Sequence, residues 1–272
     1  MNQRNNFIYS AHNLQDFVDC PRRFELIYLL KQPWPAVATE PVLEMEEKSN
    51  LGMQFHQAAQ QMLSGIAADD VVHSLEDHQL MQWITRFAAF LGRLQWDTKL
   101  TEITLTMALN GSRILSVLDL LMVTGDGKAI IFDWKTAHKE PNPSFYKERI
   151  QSQVYPMVVV ESFQQVFPKM NLKPEDLEMV YWFPEFPEKA IHLGYSRAAH
   201  QANLLRIAGL ISDITRRKSG GFEMTHEVNR CKYCTYRSLC DRGRTAGIES
   251  DESDDVPALD LPDFDQIEEI PY

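Results

Sequence analysis

What this 272-residue sequence lacks narrows it first. No apolar run approaches the ~20 residues that span a bilayer, which excludes a helical membrane protein. The opening residues, MNQRNNFIYS, lack the basic-then-apolar order of a secretory signal, so the expected location is the cytoplasm. Cysteine is scarce: Cys20, Cys231, Cys234 and Cys240 are the only four. In a reducing compartment such clustered thiols read as metal ligands before disulfides. A Gly-rich loop ending in Lys-Ser/Thr is missing, so the chain carries no ATP-driven motor of its own. Internal repeats are absent.

Charge of one sign is missing from one region. The net charge is −11, from 27 Lys and Arg against 38 Asp and Glu. Residues 249–272 hold ten of the acids and no base, which leaves 28 acids against all 27 bases in the rest. A nearly neutral body with an acidic tail does not exclude a polyanionic partner. A hydrophobic fraction of 44% fits a globular chain. Residues 1–245 are expected to form one domain, and residues 246–272 a disordered acidic tail.

Apolar spacing predicts two consecutive helices over residues 10–31. Ser10 is the expected N-cap, Pro21 opens the second helix, and Cys20 sits at the break. Pro33, Pro35 and Pro41 mark a loop. Residues 43–64 and 75–95 read as helices. Alternation over Leu100–Leu109 and Arg113–Val123, joined by Asn110-Gly111, predicts a hairpin. Gly125-Asp126-Gly127 turns the chain into a third strand, Ala129–Trp134. A helix over 144–166, a strand over Leu177–Phe183 and a helix over Tyr195–Lys218 complete the order. The fold class expected is α/β, with a mixed central sheet flanked by helices.

The third strand ends Asp133-Trp134-Lys135, which puts Asp133 and Lys135 on one face. In so apolar a strand the two charges need each other, a metal or a mouth to solvent. The second strand carries Asp119 in an apolar run. Asp119 and Asp133 lie seven residues either side of Asp126, so hairpin register makes them neighbours. Paired carboxylates repel and favour a divalent cation between them, and oxygen ligands suit Mg²⁺ or Mn²⁺. Such a metal activates water against a phosphate ester, with Lys135 balancing the charge that develops. The plain alternative is a structural Asp–Lys pair at a strand end. His56 stands on an apolar helical face, where a core histidine is the ordinary reading. Gln151 and Tyr155 share one helix face at i and i+4.

The cysteines, Cys231-x2-Cys234-x5-Cys240 with Cys20 far upstream, can hold zinc or a four-iron, four-sulfur cluster. Spacing alone leaves both open and leans to zinc. Either group would staple Cys20 to residues 231–240 across a very long loop.

In this order the elements resemble the RecB-like branch of the PD-(D/E)XK nuclease superfamily, across residues 10–244. The matching features are His56, Asp119, Asp133-Trp134-Lys135 and Gln151-x3-Tyr155. The resemblance implies a restriction-endonuclease-like core and a metal-dependent DNA exonuclease preferring single strands or ends. It implies a Mg²⁺ or Mn²⁺ site made by His56, Asp119, Asp133 and the Trp134 carbonyl. Lys135 becomes catalytic, and Gln151 and Tyr155 contact the DNA and order the site. Asp19-Cys20-Pro21-Arg22-Arg23-Phe24 and the Cys231–Cys240 stretch resemble the arrangement in CRISPR-associated RecB-like exonucleases and AddB-type nucleases. There one Cys before the core and three after it bind a four-iron cluster, which turns the choice away from zinc. Work in DNA repair, recombination or CRISPR spacer acquisition is implied.

Two features depart from the pattern. Ser116 stands where the family usually has Gly, and Asp133 replaces the commoner Glu. Glu102 is a candidate support for the metal site, and Gln153 competes with Gln151. Arg22, Arg23, Lys232, Arg237, Arg242 and Arg244 are a candidate basic rim for the DNA backbone. The tail ends in Ile270-Pro271-Tyr272, similar to the tip of bacterial single-stranded-DNA-binding proteins. It is expected either to recruit a repair or CRISPR protein or to fold back on the DNA channel. The rival from another class is a non-catalytic DNA-binding partner of a separate helicase.

Overall fold

Ser10 opens the first helix as the sequence predicts. Its hydroxyl accepts from the Asn13 N–H, and the Asn13 side chain accepts from the Ser10 N–H. This reciprocal box satisfies two amides that a helix start leaves bare. The computed structural model of the protein describes residues 7–33, 40–137, 139–217, 221–231 and 234–242. The expected acidic tail, Lys232 and Arg244 lie outside them. Strand β1 (Ile8–Tyr9) precedes α1 (Ala11–Asp19). Cys20 is extended and breaks the helix, and Pro21 starts α2 (Pro21–Phe24), which runs on as a π turn to Leu29. Three helices follow: α3 (Glu40–Leu63), α4 (Ala68–His73) and α5 (His78–Leu91).

The sheet then begins with β2 (Thr98–Leu109) and β3 (Ser112–Val123). Asn110 and Gly111 both have positive φ, 49° and 80°, as a two-residue hairpin turn requires. Gly127, with φ 87°, closes the turn into β4 (Ala129–Trp134). Helices α6 (Pro143–Glu148) and α7 (Gln151–Val166) lead to β5 (Leu177–Trp182), β6 (Ile191–Gly194) and α8 (Arg197–Arg216). Strand β3 pairs with β2 along one whole edge. On its other edge it meets β1 in parallel at Arg113–Ile114 and β4 antiparallel at Leu120–Val123. The β4–β5 pair is parallel and β5–β6 antiparallel, so the sheet is mixed as expected.

One apolar core lies between the sheet and α1, α7 and α8, with Leu14, Phe17, Ile131, Met157, Met179 and Ile211. The other lies under α3 and α5, with Phe55, Trp83, Phe87, Phe132, Trp134 and Trp182. Phe87 meets Trp134 at 4.8 Å and Trp182 at 5.5 Å between ring centroids. Burying one such ring is worth roughly 1.5–3 kcal/mol. Strands β4 and β5 feed both cores, which explains why they read as continuous apolar runs.

The β2–β3 ladder has one irregular rung. Thr101 pairs with Leu120 and Ile103 with Leu118, but Glu102, at φ +49°, does not pair with Asp119. Leu118 and Leu121 enter the same core although they are three apart, and so do Leu100 and Ile103. A regular strand would put them on opposite faces. The faces therefore reverse at Glu102 and Asp119.

The helix expected over 144–166 is two helices. Arg149 is extended, at φ −60° and ψ 144°, and sets α7 off from α6. The short elements β1, α4 and β6 were not expected, because two to six residues carry too little periodicity. No described helix is long and apolar enough to cross a membrane.

Candidate functional site

The β3–β4 register brings Leu120 opposite Phe132. One step past this last paired rung stand Asp119 and Asp133, where β4 nears its end and β3 has left β1. The carboxylates thus stand at a fork in the sheet, close to each other and to solvent. Asp119 Oδ2 accepts from the Trp134 N–H at 2.8 Å, and its Oδ1 lies 3.6 Å from His56 Nδ1 on α3. His56 also bonds to the Trp134 backbone carbonyl. Asp133 Oδ1 accepts from Gln151 Nε2 at 2.7 Å. Its Oδ2 is ion-paired with Lys135 Nζ at 3.1 Å. Side-chain exposure rises from 4% at Asp133 through 14% at Asp119 to 26% at His56. The site therefore opens toward α3.

Burial pushes both carboxyls up to about 6; Asp119 raises Asp133 further, while Lys135 pulls both down. Burial lowers His56 to about 4, with Lys135 adding and Asp133 opposing. Tyr155, at the next turn of α7, is held well above its usual range by burial and by Asp133 and Asp119, and it bonds to Gln151. Near neutral pH the site thus holds two carboxylates, a neutral imidazole and a protonated phenol. That donor set of carboxylate oxygens and an imidazole fits a hard divalent cation. Among the described residues, no three His, Cys, Asp or Glu side chains already converge as tightly as a bound ion draws them.

The remaining candidates separate cleanly. Gln153 turns away and donates to the Glu148 and Arg149 carbonyls at 3.2 and 3.3 Å, so Gln151 is the one that reaches the site. Glu102 lies across the irregular rung from Asp119. Sequence reasoning missed Gly52. A Cβ there would stand 3.0 Å from Thr136 Oγ1, so glycine lets α3, and His56 one turn on, close against the end of β4. A glycine four residues before the histidine was the available signal.

The cysteines form a second locus. All four are reduced and half-buried. Burial raises Cys234 and Cys240, and each is raised further by Cys20 and Cys231, which therefore lie within electrostatic reach of both. Cys231 and Cys240 each end a short 3₁₀ turn. Arg242 donates to Cys231 Sγ at 3.5 Å. Arg230 pairs with Asp19, the Arg22 N–H bonds to the Glu223 carbonyl, and Tyr236 donates to the Gln32 carbonyl. The expected basic rim is drawn inward instead. Arg22 is paired with Glu25, and Arg23 with Asp16 and Asp19; Arg237 is buried. Buried acids claim Arg22 and Arg23 as fastenings.

The family model of the PD-(D/E)XK nuclease superfamily matches residues 8–241. The chain belongs to this superfamily. The match takes in the carboxylate site and all four cysteines. Two solved structures are similar at lower levels. One is a protein of Eubacterium rectale named for a proposed exonuclease activity, with 14% identity, 89% of this chain and 90% of that one covered, and a TM-score of 0.49. The other is SSO0001, with 15% identity, 90% and 89% covered, and a TM-score of 0.41. At those scores neither likeness bears on fold or activity. No curated protein matches the chain. As a PD-(D/E)XK protein it has a nuclease fold, in a family that generally uses Mg²⁺ or Mn²⁺. The mixed sheet with helices on both faces is that fold.

Proposed function

We propose that this nuclease hydrolyses DNA phosphodiesters as a RecB-like exonuclease, with Mg²⁺ or Mn²⁺ held by His56, Asp119, Asp133 and the Trp134 carbonyl. The observation that carries this reading is Asp133, which has Lys135 Nζ 3.1 Å from one oxygen and Gln151 2.7 Å from the other, with Asp119 beside it. A structural ion pair would need neither the second acid nor the histidine. A bound cation would supply water activation and neutralise charge on the phosphate. The chain's own groups do the rest. Gln151 fixes the plane of the Asp133 carboxylate, and Tyr155 fixes Gln151. Lys135 offers a positive charge to the attacking water and the phosphoryl oxygens. The neutral His56 leaves a ring nitrogen free to bind metal.

Cys20, Cys231, Cys234 and Cys240 are assigned to a four-iron, four-sulfur cluster that braces the two ends of the domain. Cys20 from one end of the chain and Cys231 from the other, both acting electrostatically on Cys234 and Cys240, support a bound group, and the RecB-like resemblance selects iron and sulfide over zinc. The same resemblance favours DNA ends or single strands as substrate. It points to repair, recombination or CRISPR spacer acquisition as the setting.

The test is cleavage of end-labelled single- and double-stranded DNA, linear and circular, with Mn²⁺. Linear DNA should be degraded and circular duplex spared. Lys135→Ala should lose cleavage while keeping its fold; undiminished cleavage by that variant would sink the reading. Anaerobically purified protein should be brown and contain iron and sulfide. A colourless protein holding zinc would remove the cluster assignment alone.

A further inference from the structure

The first turn of α7 is not capped by its own neighbourhood. Its N-cap, Ile150, offers no side-chain hydrogen bond. Gln15 of α1, 135 residues earlier, holds the N-cap residue itself: its Oε1 accepts from the Ile150 N–H at 3.0 Å. The other end of the same amide donates to Asp19 Oδ1 at 2.9 Å. Asp19 is buried and also takes Arg230 and Arg23. Asp19 directly precedes Cys20, and Arg230 directly precedes Cys231. On the far side, the residue after Ile150 is Gln151, whose amide holds Asp133. Four hydrogen bonds and the peptide bonds Arg230–Cys231 and Ile150–Gln151 thus link Cys231 to Asp133, by way of Arg230, Asp19, Gln15, Ile150 and Gln151. The chemistry suits an amide at position 15. It can face a backbone N–H with its oxygen and a carboxylate with its nitrogen.

We propose that Gln15 is a positioning residue that fixes the start of α7, and hence Gln151 on Asp133, to the thiol-bearing segment. The proposal rests on the reading of Asp133 and Lys135 given above. It makes the thiol locus a setter of catalytic geometry as well as a brace. Partners one step behind a metal ligand commonly contribute at this level. The two-ended side chain adds a directed link to the apolar packing of α1 against α7.

Two substitutions separate the ends of the amide. Gln15→Leu keeps the bulk and removes both contacts. Gln15→Glu keeps the acceptor for Ile150 and loses the donor to Asp19. With Mn²⁺ and an end-labelled oligonucleotide, Gln15→Leu should lower kcat by about tenfold with little change in KM. It should also speed amide hydrogen exchange at residues 150–152. Gln15→Glu should recover part of the lost kcat. A Gln15→Leu protein with wild-type kcat, beside an inactive Lys135→Ala, overturns the proposal and leaves the site reading standing. An active Lys135→Ala overturns the site reading instead, and exchange at 150–152 then decides the link by itself. Arg230→Leu gives that measurement in a second variant. It should speed exchange at 150–152, and add nothing in the Gln15→Leu background. Unchanged exchange in Arg230→Leu would cut the thiol segment out of the relay and overturn the proposal.

Discussion

The carboxylate site and the thiol site are held by different means. Asp119 and Asp133 are aimed by backbone: β3–β4 register sets them side by side, and main-chain groups of Trp134 meet both Asp119 and His56. The thiols are aimed by side chains. Short 3₁₀ turns carry Cys231 and Cys240, and Arg230–Asp19 and Tyr236–Gln32 tie those turns to the N-terminal helices. A ladder of backbone hydrogen bonds keeps its geometry when a ligand leaves. Arginine–carboxylate pairs whose acid is buried and whose arginine is partly exposed are weaker support, since desolvation offsets much of their attraction. The first site should therefore depend on its metal for chemistry, and the second should depend on its bound group for structure.

The largest effect that sharpens this contrast is on the backbone-held side. Lys135→Ala should cost about 4 kcal/mol of transition-state stabilisation, on the order of a thousandfold in kcat, with an unchanged thermal midpoint. A midpoint that fell in step with activity would break the contrast. Next in size, Cys20→Ser should lower stability by about 2–4 kcal/mol, a fall of roughly 5–15 °C by calorimetry. An unaltered midpoint would mean that the thiols brace nothing.

A smaller effect follows from proton competition. Both carboxyls titrate at about 6 in the folded chain, above their ordinary 3.8. Raised acids favour the folded state while protonated, so that stabilisation is complete below 3.8 and lost as pH rises through 6. His56 runs the other way. Titrating at about 4, below 6.5, it favours the fold above 6.5 and loses that as pH falls through 4. Added Mn²⁺ should restore the stability that the ionised carboxylates cost at pH 7.5. Its affinity should weaken by about tenfold or more per unit below pH 6, where protons hold its ligands. Thermal shifts with Mn²⁺ at pH 5 and 7.5 measure this, and equal affinity at both would remove the carboxylates as ligands. The smallest effect is at Gly52. Gly52→Ala should add about 0.5–1 kcal/mol of helix stability while lowering activity severalfold, because the new Cβ presses on Thr136. Unchanged activity would show that α3 has room to spare.

Much of this was legible because it is periodic or covalent. Alternation and Asn110-Gly111 located the hairpin, and symmetry about Asp126 gave the register that pairs Asp119 with Asp133. Strand β4 was read to its last residue because it is apolar on both faces. What stayed hidden has no local signature. The break between α6 and α7 falls at Arg149, in an unbroken helical pattern, and Ile150 after it is held by Gln15 on another helix. Nothing near Glu102 announces a left-handed residue, since it arises from two strands exchanging faces at once. Arg22 and Arg23 beside Cys20 look like a surface for phosphate in the sequence, and only buried Asp16, Asp19 and Glu25 show them to be fastenings.

That left-handed residue has a consequence outside catalysis. Strand β2 is twelve residues long and, among the described residues, pairs with β3 alone. A long strand with one side unpaired is a template on which a second molecule can stack edge to edge. Glu102 interrupts the row of outward amides near its middle and sets a charge beside the gap. The kink that serves the carboxylate fork thus also makes this edge a poor seed for aggregation.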